Sequence, residues 1–137
     1  MKLMNRKDFI RLIGTGALAV VALNQPGCSK SDSIPQKDFT IDINDAQYNV
    51  LQTPGAYVYI NGVIVFKAID GNFYALSQVC THQGCNVKYE ESLNDIFCPC
   101  HGSQYDLQGK VLVGPSTMPL FQYATSLSGT VLHVFTP

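Results

Sequence analysis

The stretch Tyr57-Val58-Tyr59-Ile60-Asn61-Gly62-Val63-Ile64-Val65-Phe66-Lys67-Ala68 decides the fold. Its Asn61-Gly62 pair lies between two runs that are rich in β-branched and aromatic residues. A type I′ turn needs a positive φ at both of its central positions, and Asn-Gly is the pair that adopts this most readily. The stretch therefore predicts a tight antiparallel hairpin with strands at Tyr57–Ile60 and Val63–Ala68.

The chain on both sides of this hairpin shows the same pattern of short apolar runs separated by turn residues. No stretch after residue 30 has a sustained helical period. We therefore predict an all-β domain with antiparallel sheets at residues 39–137. Further strands are predicted at Phe39–Ile43, Phe73–Leu76, Lys110–Val113, Gln122–Leu127 and Thr130–Phe135, with the last two joined by Ser128-Gly129.

Composition and charge limit the function classes. The chain has 137 residues, of which 46% are hydrophobic and 14% charged, which suits one compact domain. Residues 1–27 carry four basic side chains against one acid, whereas residues 28–137 carry five basic side chains against nine acids. A nucleic-acid binder needs a basic surface, and no basic cluster lies beyond residue 11. Nucleic acid is therefore not an expected partner.

The amino-terminal segment has the organisation of an export signal. Its apolar run Leu12–Leu23 has twelve residues, whereas a membrane-spanning helix needs about 20. We predict a signal peptide or membrane anchor at residues 1–27, and a buried helix of the domain is the alternative. The stretch Asn5–Arg11 resembles a twin-arginine export signal.

A second export feature follows the apolar run. The stretch Gly27-Cys28-Ser29-Lys30 resembles a lipoprotein processing site, which makes Cys28 the lipidation candidate. A retained helical anchor and a released soluble protein are the other outcomes. Residues 28–38 are polar and serine-rich, and they predict a flexible tether.

Two segments interrupt the strand pattern, namely Cys80-Thr81-His82-Gln83-Gly84-Cys85 and Cys98-Pro99-Cys100-His101-Gly102-Ser103. They hold four of the five cysteines and two of the three histidines. Two structural disulfides with incidental histidines are one interpretation. A tetrahedral zinc site with two thiolate and two imidazole ligands is another. Neither explains why each loop repeats a cysteine and histidine pair and adds one further cysteine. The third histidine, His133, lies in a predicted strand and is expected to be a surface or hydrogen-bonded residue.

These two segments resemble the cluster-binding loops of the Rieske iron-sulfur family, which read Cys-x-His-x-Gly-Cys and Cys-x-Cys-His-Gly-Ser. The resemblance implies an antiparallel β-sandwich with a two-loop cluster-binding subdomain and one 2Fe-2S cluster. It implies that Cys80 and Cys98 ligate one iron and that His82 and His101 ligate the other. It also implies a disulfide between two further cysteines. These are Cys85 and Cys100.

The same resemblance implies a high-potential centre. Ser103 and Tyr105 occupy positions where the family donates hydroxyl hydrogen bonds to a bridging sulfide and to the sulfur of Cys80. Potentials of this class span roughly −150 to +300 mV. The presence of two additional cysteines resembles the cytochrome bc branch of the family and fits an oxidising compartment. In the third loop, Gly114–Leu120, Ser116 and Thr117 stand where the family usually has Ala-Pro.

The function we expect is electron transfer, with no catalysis by this chain alone. The chain is predicted to be the iron-sulfur subunit of a quinol-oxidising complex, with cytochrome b and c-type cytochrome partners, at the periplasmic face of a bacterial inner membrane. His101 is the candidate for the proton-coupled quinol contact. The alternative is a lipoprotein carrier, or the small subunit of an exported arsenite-oxidase-like metalloenzyme, without quinol contact. Gln83 favours it, because quinol-oxidising members usually have leucine there.

Overall fold

A computed structural model describes residues 34–137, and these residues form ten strands that pair only in the antiparallel sense. A 3-10 helix at Asn49–Gln52 connects the first two strands. The strands are Asp38–Asp42 (β1), Tyr57–Ile60 (β2), Val63–Lys67 (β3), Phe73–Ser77 (β4), Lys88–Glu90 (β5), Asp95–Phe97 (β6), Gln104–Tyr105 (β7), Val111–Val113 (β8), Gln122–Ser128 (β9) and Val131–Phe135 (β10).

The predictions for the amino terminus concern other residues. The signal or anchor segment, the lipidation candidate Cys28 and the tether up to residue 33 lie outside the described residues. Within residues 34–137, no helix combines the length and the apolar character that crossing a membrane requires.

The hairpin predicted around Asn61-Gly62 is confirmed. Ile60 pairs directly with Val63, and the two residues between them have positive φ angles of 51° and 83°. This is the backbone of a type I′ turn, whose twist matches that of the flanking strands.

Six strands form one sheet in the order β1-β10-β9-β4-β3-β2. Strand β3 is buried on both faces, which explains its uninterrupted apolar sequence. Val63 and Val65 pack into a core cluster with residues of β1, β9 and β10, whereas Ile64 and Phe66 pack into a second cluster that contains Cys80 and Cys98. Because successive side chains of a strand point to opposite faces, β3 joins the two cores.

The remaining four strands form a small sheet in the order β5-β6-β7-β8. The two cysteine loops lie before β5 and between β6 and β7, so this sheet carries both of them. The sequence predicted only β8. Strands of two or three residues are too short to show alternation, so β5, β6 and β7 gave no periodic signal.

Each end of the predicted strands lies within one residue of the corresponding end in the structure. The turn predicted at Ser128-Gly129 is one residue out of place. Val131 pairs with Ser128, so the two turn residues are Gly129 and Thr130, with a φ of 61° at Gly129. Glycine adopts this left-handed conformation without the steric cost of a Cβ, and it therefore fixes the position of the turn.

Candidate metal centre

The two cysteine loops share one backbone arrangement. In the first loop, the Cys80 amide donates to the Cys85 carbonyl at 2.7 Å, and the Gly84 amide donates to the Cys80 carbonyl at 3.1 Å. The second loop has the same two bonds, since the Cys98 amide donates to the Ser103 carbonyl at 2.8 Å and the Gly102 amide to the Cys98 carbonyl at 2.9 Å. The two glycines have φ values of 75° and 79°, which few other residues adopt.

The thiols and the imidazoles of these loops face different environments. The side chains of Cys80 and Cys98 are only 3% and 1% exposed and belong to the hydrophobic core. His82 and His101 are exposed, and their ring centroids lie 4.8 Å apart. Two thiols therefore lie on the core side of the site and two imidazoles on the solvent side.

A disulfide joins the two loops. It links Cys85 to Cys100, whose Cα atoms lie 6.4 Å apart, as the family resemblance implied. Cys80 and Cys98 are free thiols. The interpretation that all four cysteines form two structural disulfides is therefore wrong.

Hydroxyl groups surround the Cys80 sulfur. The Tyr105 hydroxyl lies 3.3 Å from Cys80 Sγ, and the Ser116 hydroxyl lies 3.5 Å from the same atom. Burial alone raises the pKa of the Cys80 thiol, but hydrogen bonds from Ser116, Tyr105 and the backbone at His82 lower it to about 7. The surroundings therefore favour the thiolate, which is the form that binds metals.

The other cysteine is held differently. Burial is the main cause that raises the pKa of the Cys98 thiol, and the adjacent Cys80 sulfur raises it further. Two neighbouring thiolates repel each other unless a positive charge lies between them. A cation bound beside both sulfurs would offset this repulsion and stabilise the second thiolate.

The serine predicted to contact the cluster, Ser103, is fully buried. Its Oγ accepts a hydrogen bond from the Ser116 amide at 3.0 Å. Sequence reasoning assigned no role to Ser116 or Thr81, although the Thr81 hydroxyl lies 3.2 Å from that of Tyr105. The only signal for Ser116 was its difference from the usual family residue.

The similarity of the whole sequence to known proteins agrees with these observations. The sequence matches the Rieske [2Fe-2S] domain family over residues 27–124. The chain belongs to the Rieske family. The iron-sulfur subunit of the cytochrome b6-f complex from Synechococcus elongatus is 31% identical over 153 aligned positions, which cover 98% of this Rieske protein and 85% of that subunit.

Two solved structures show the same fold. The cyanobacterial plasma membrane Rieske protein from Synechocystis PCC 6803 superposes with a TM-score of 0.50 and 34% identity, covering 57% of this chain and 82% of that one. A chain of a hyperthermophilic respiratory complex III superposes with a TM-score of 0.52 and 26% identity, covering 68% of this chain and 71% of that one. This Rieske protein is therefore an electron-transfer protein with one 2Fe-2S cluster, related to the iron-sulfur subunits of cytochrome b6-f complexes.

The donor set fits such a cluster. A Rieske 2Fe-2S cluster has two irons, and each needs two ligands from the protein, two thiolates at one iron and two imidazoles at the other. A zinc ion instead needs its protein ligands to converge on one point. In the described part of the chain, no three histidine, cysteine or acidic side chains converge in this way.

The three loops at this end of the Rieske domain carry no charged side chain. Residues 80–85, 98–103 and 114–120 contain no Asp, Glu, Lys or Arg. Met118 in the third loop is 64% exposed. These three loops therefore present an uncharged and partly apolar surface next to His82 and His101.

The remaining histidine, His133, is in β10, where its Nε2 lies 2.7 Å from Asp38 Oδ1.

Proposed function

We propose that Cys80 and Cys98 hold one iron of the cluster as thiolates and that His82 and His101 hold the other through imidazole nitrogens. The observation that carries this assignment is the division of the site into two buried thiols and two exposed imidazoles. When bound, the cluster supplies reversible one-electron transfer at a potential that neutral imidazole ligands raise above that of all-cysteine clusters.

The positions of the histidines and cysteines determine which part of the site a redox partner contacts. Because the His82 and His101 rings are at the surface, the ring nitrogen that does not bind iron faces the partner. We infer that this nitrogen of His101 accepts a hydrogen bond from a quinol hydroxyl and takes its proton, while the electron that the quinol loses would go to the bound cluster. The thiols of Cys80 and Cys98 are only 3% and 1% exposed, so they are shielded from a partner at the surface.

The neutral surface around the two histidines supports a quinol partner. A quinol site lies within a membrane protein, where contact with charged loops would cost several kcal/mol for each buried unpaired charge. Loops 80–85, 98–103 and 114–120 avoid that cost because they contain no charge. The exposed Met118 side chain adds apolar area at the same end of the domain.

The favoured function is therefore that of the iron-sulfur subunit of a quinol-oxidising membrane complex, which passes electrons to a c-type cytochrome. The chain is similar to a cytochrome b6-f iron-sulfur subunit over 98% of its length, and this similarity supports the function. In this proposal residues 1–27 target or anchor the protein, residues 28–38 form the tether, and residues 39–137 form the Rieske domain. The last residue of the tether, Asp38, already pairs with Phe135 as the first residue of β1. The domain then works at the periplasmic face of a bacterial inner membrane.

Purification from native membranes tests the proposal. A carboxyl-terminal affinity tag on the full chain, with mild detergent, should recover cytochrome b and c-type cytochrome subunits together with quinol:cytochrome c activity. The matched control is the His133→Gln variant, which should recover the same subunits, because His133 lies in β10 and outside the three loops. Recovery with a molybdenum enzyme, or without any cytochrome b, would contradict the proposal.

Gln83 supports a second candidate, an exported carrier or metalloenzyme subunit without quinol contact. Its side chain is exposed in the first loop, next to His82. A polar amide there does not favour docking against an apolar surface. If the chain docks on cytochrome b, Gln83→Leu should tighten that association, whereas in an independent carrier it should leave partner affinity unchanged.

A further inference from the structure

We propose that Ser116 is a positioning residue that shares with Tyr105 the task of donating a hydroxyl hydrogen bond to the Cys80 sulfur, and that it thereby raises the midpoint potential. The inference rests on the proposed role of Cys80 as a cluster ligand. It assigns a function to a residue of the third loop at the point where this chain differs from the usual family sequence.

Ser116 is built into the site. Its side chain is 4% exposed, and its hydroxyl oxygen lies 3.5 Å from Cys80 Sγ and 2.5 Å from the Tyr105 hydroxyl. Its amide donates to Ser103 Oγ at 3.0 Å. Ser116 thus contacts the buried side chains of Cys80, Tyr105 and Ser103.

The number of hydroxyl protons limits how these bonds are arranged. As a ligand, Cys80 is a thiolate and only accepts. The Thr81 hydroxyl donates its proton to the Met118 carbonyl at 2.7 Å, so in its 3.2 Å contact with Tyr105 it accepts. Among the hydroxyls of residues 34–137 that contact the sulfur, those of Tyr105 and Ser116 then have a proton for it, and each has one.

Two arrangements satisfy these limits. In the first, Tyr105 donates to the sulfur and Ser116 donates to the Tyr105 oxygen, which polarises the Tyr105 O–H and strengthens its bond to the sulfur. In the second, Ser116 donates to the sulfur and Tyr105 donates to Ser116 or Thr81. The sulfur receives a hydroxyl proton in both arrangements. When one hydroxyl is removed, the other still donates to the sulfur, but it loses the neighbouring hydroxyl that polarises it.

This redundancy affects the potential in a specific way. A hydrogen bond donated to a thiolate offsets negative charge, and the reduced cluster is more negative than the oxidised one. Loss of one donor lowers the potential, but the remaining hydroxyl still supplies the sulfur. Loss of both leaves the sulfur without a hydroxyl donor. The two losses together should exceed the sum of the separate losses.

The test is a double-mutant cycle on the full-length, cluster-loaded protein, with midpoint potentials from titrations followed by visible circular dichroism. Ser116→Ala and Tyr105→Phe should each shift the potential downward, and the double variant should shift it by more than the sum of the two. Ser116→Thr keeps the hydroxyl and should stay near the wild-type potential. Thr117→Ala removes an exposed hydroxyl from the same loop and should cause no shift.

Iron and acid-labile sulfide content separates the possible failures. Wild-type protein without two irons and two sulfides per chain would overturn the proposed function and this inference with it. An intact cluster whose potential is unchanged in Ser116→Ala, or shifts that simply add, would overturn the inference alone. If Ser116→Ala does not retain the cluster, Ser116→Gly provides a second hydroxyl-free variant with the same expected downward shift.

Discussion

Cys85 and Cys100 form the covalent connection between loop 80–85 and loop 98–103. Cys85 is half-buried and Cys100 is exposed, so the bond lies near the surface, while the free thiols Cys80 and Cys98 are in the core. A reductant in solution can therefore reach the disulfide, whereas Cys80 and Cys98 contain no bond that it could open.

Replacing both disulfide cysteines, Cys85→Ser with Cys100→Ser, should lower the free energy of unfolding. The bond closes a segment with a sequence separation of 15, and a loop of that size corresponds to about 3 kcal/mol in the unfolded chain. Denaturant unfolding of the cluster-loaded protein measures the loss. In the control, dithiothreitol should destabilise the wild type and leave the double variant unchanged. Equal sensitivity of both proteins would contradict the prediction.

Tyr105→Phe should lower the midpoint potential. Hydrogen bonds to charged groups contribute about 1.5 to 3 kcal/mol, which corresponds to roughly 65 to 130 mV for one electron. This range is an upper limit for the shift of the midpoint potential, because the Ser116 hydroxyl can donate to the sulfur in place of Tyr105. The matched control is Tyr123→Phe, since Tyr123 is as buried as Tyr105 but belongs to the other core cluster. Protein-film voltammetry compares the two, and an equal shift in both variants would contradict a role for the Tyr105 hydroxyl.

Gly109 positions the end of the third loop, and its replacement by alanine should destabilise the protein. An added Cβ would lie 2.6 Å from the Leu120 carbonyl oxygen, and the φ of Gly109 is 86°. A left-handed conformation alone costs about 1 to 2 kcal/mol for other residues. Gly129→Ala is the control, since its φ is 61° but a Cβ there would meet no atom of the described part of the chain within 4 Å.

Thermal unfolding should therefore show a larger loss for Gly109→Ala than for Gly129→Ala. The Leu120 amide also donates to the Gly109 carbonyl at 2.9 Å, so the clash should displace the loop that carries Ser116. A lower midpoint potential in Gly109→Ala alone would accompany that displacement. Equal losses of stability would show that the contact with Leu120 has no effect.

Asp95 in β6 should give the stability a pH dependence of its own. Its side chain is 6% exposed, and Oδ1 has no hydrogen-bond partner among residues 34–137. Burial, and to a smaller extent the Glu90 carboxylate, raises the pKa of Asp95 above its ordinary value of 3.8. The folded chain therefore binds this proton more tightly than the unfolded chain. The resulting stabilisation is present below about pH 3.8 and is lost as the pH rises through the raised pKa.

Asp95→Asn replaces the buried carboxylate by a neutral amide. Because an unpaired buried charge is costly, this change should raise the free energy of unfolding at pH 7 by about 1 kcal/mol. The free energy of unfolding should be measured between pH 4 and pH 7, a range that covers roughly the titration of a carboxyl group. It should change less with pH in the variant than in the wild type. The control is Glu91→Gln, an exposed acid in the same hairpin, which should leave the slope unchanged. An unchanged slope in Asp95→Asn would contradict the prediction.

Local sequence signals predicted the parts of this structure that local interactions determine. Asn61-Gly62 fixes a turn through its own backbone preference, and the paired cysteines and histidines of the two loops are recognisable within six residues each. Strands β5, β6 and β7 were not predictable in this way, because they form only when the loops and the core bring them together.

Ser116 shows a second limit of sequence reasoning. It is separated from Cys80 by 36 positions, and its contact with the sulfur depends on where β8 and the third loop lie in the fold. A serine in a loop next to a proline has many ordinary explanations. Only the distances to Cys80, Tyr105 and Ser103 reveal its surroundings.

The matched hydrogen bonds of loops 80–85 and 98–103 have a consequence for the speed of electron exchange. Four backbone bonds and a disulfide hold the proposed ligands from both sides, so a change of one charge at the cluster meets dipoles that are already fixed. A preorganised polar environment costs little reorganisation when charge moves. The barrier for gaining or losing an electron should therefore be small, and contact with the partner should limit the rate of turnover.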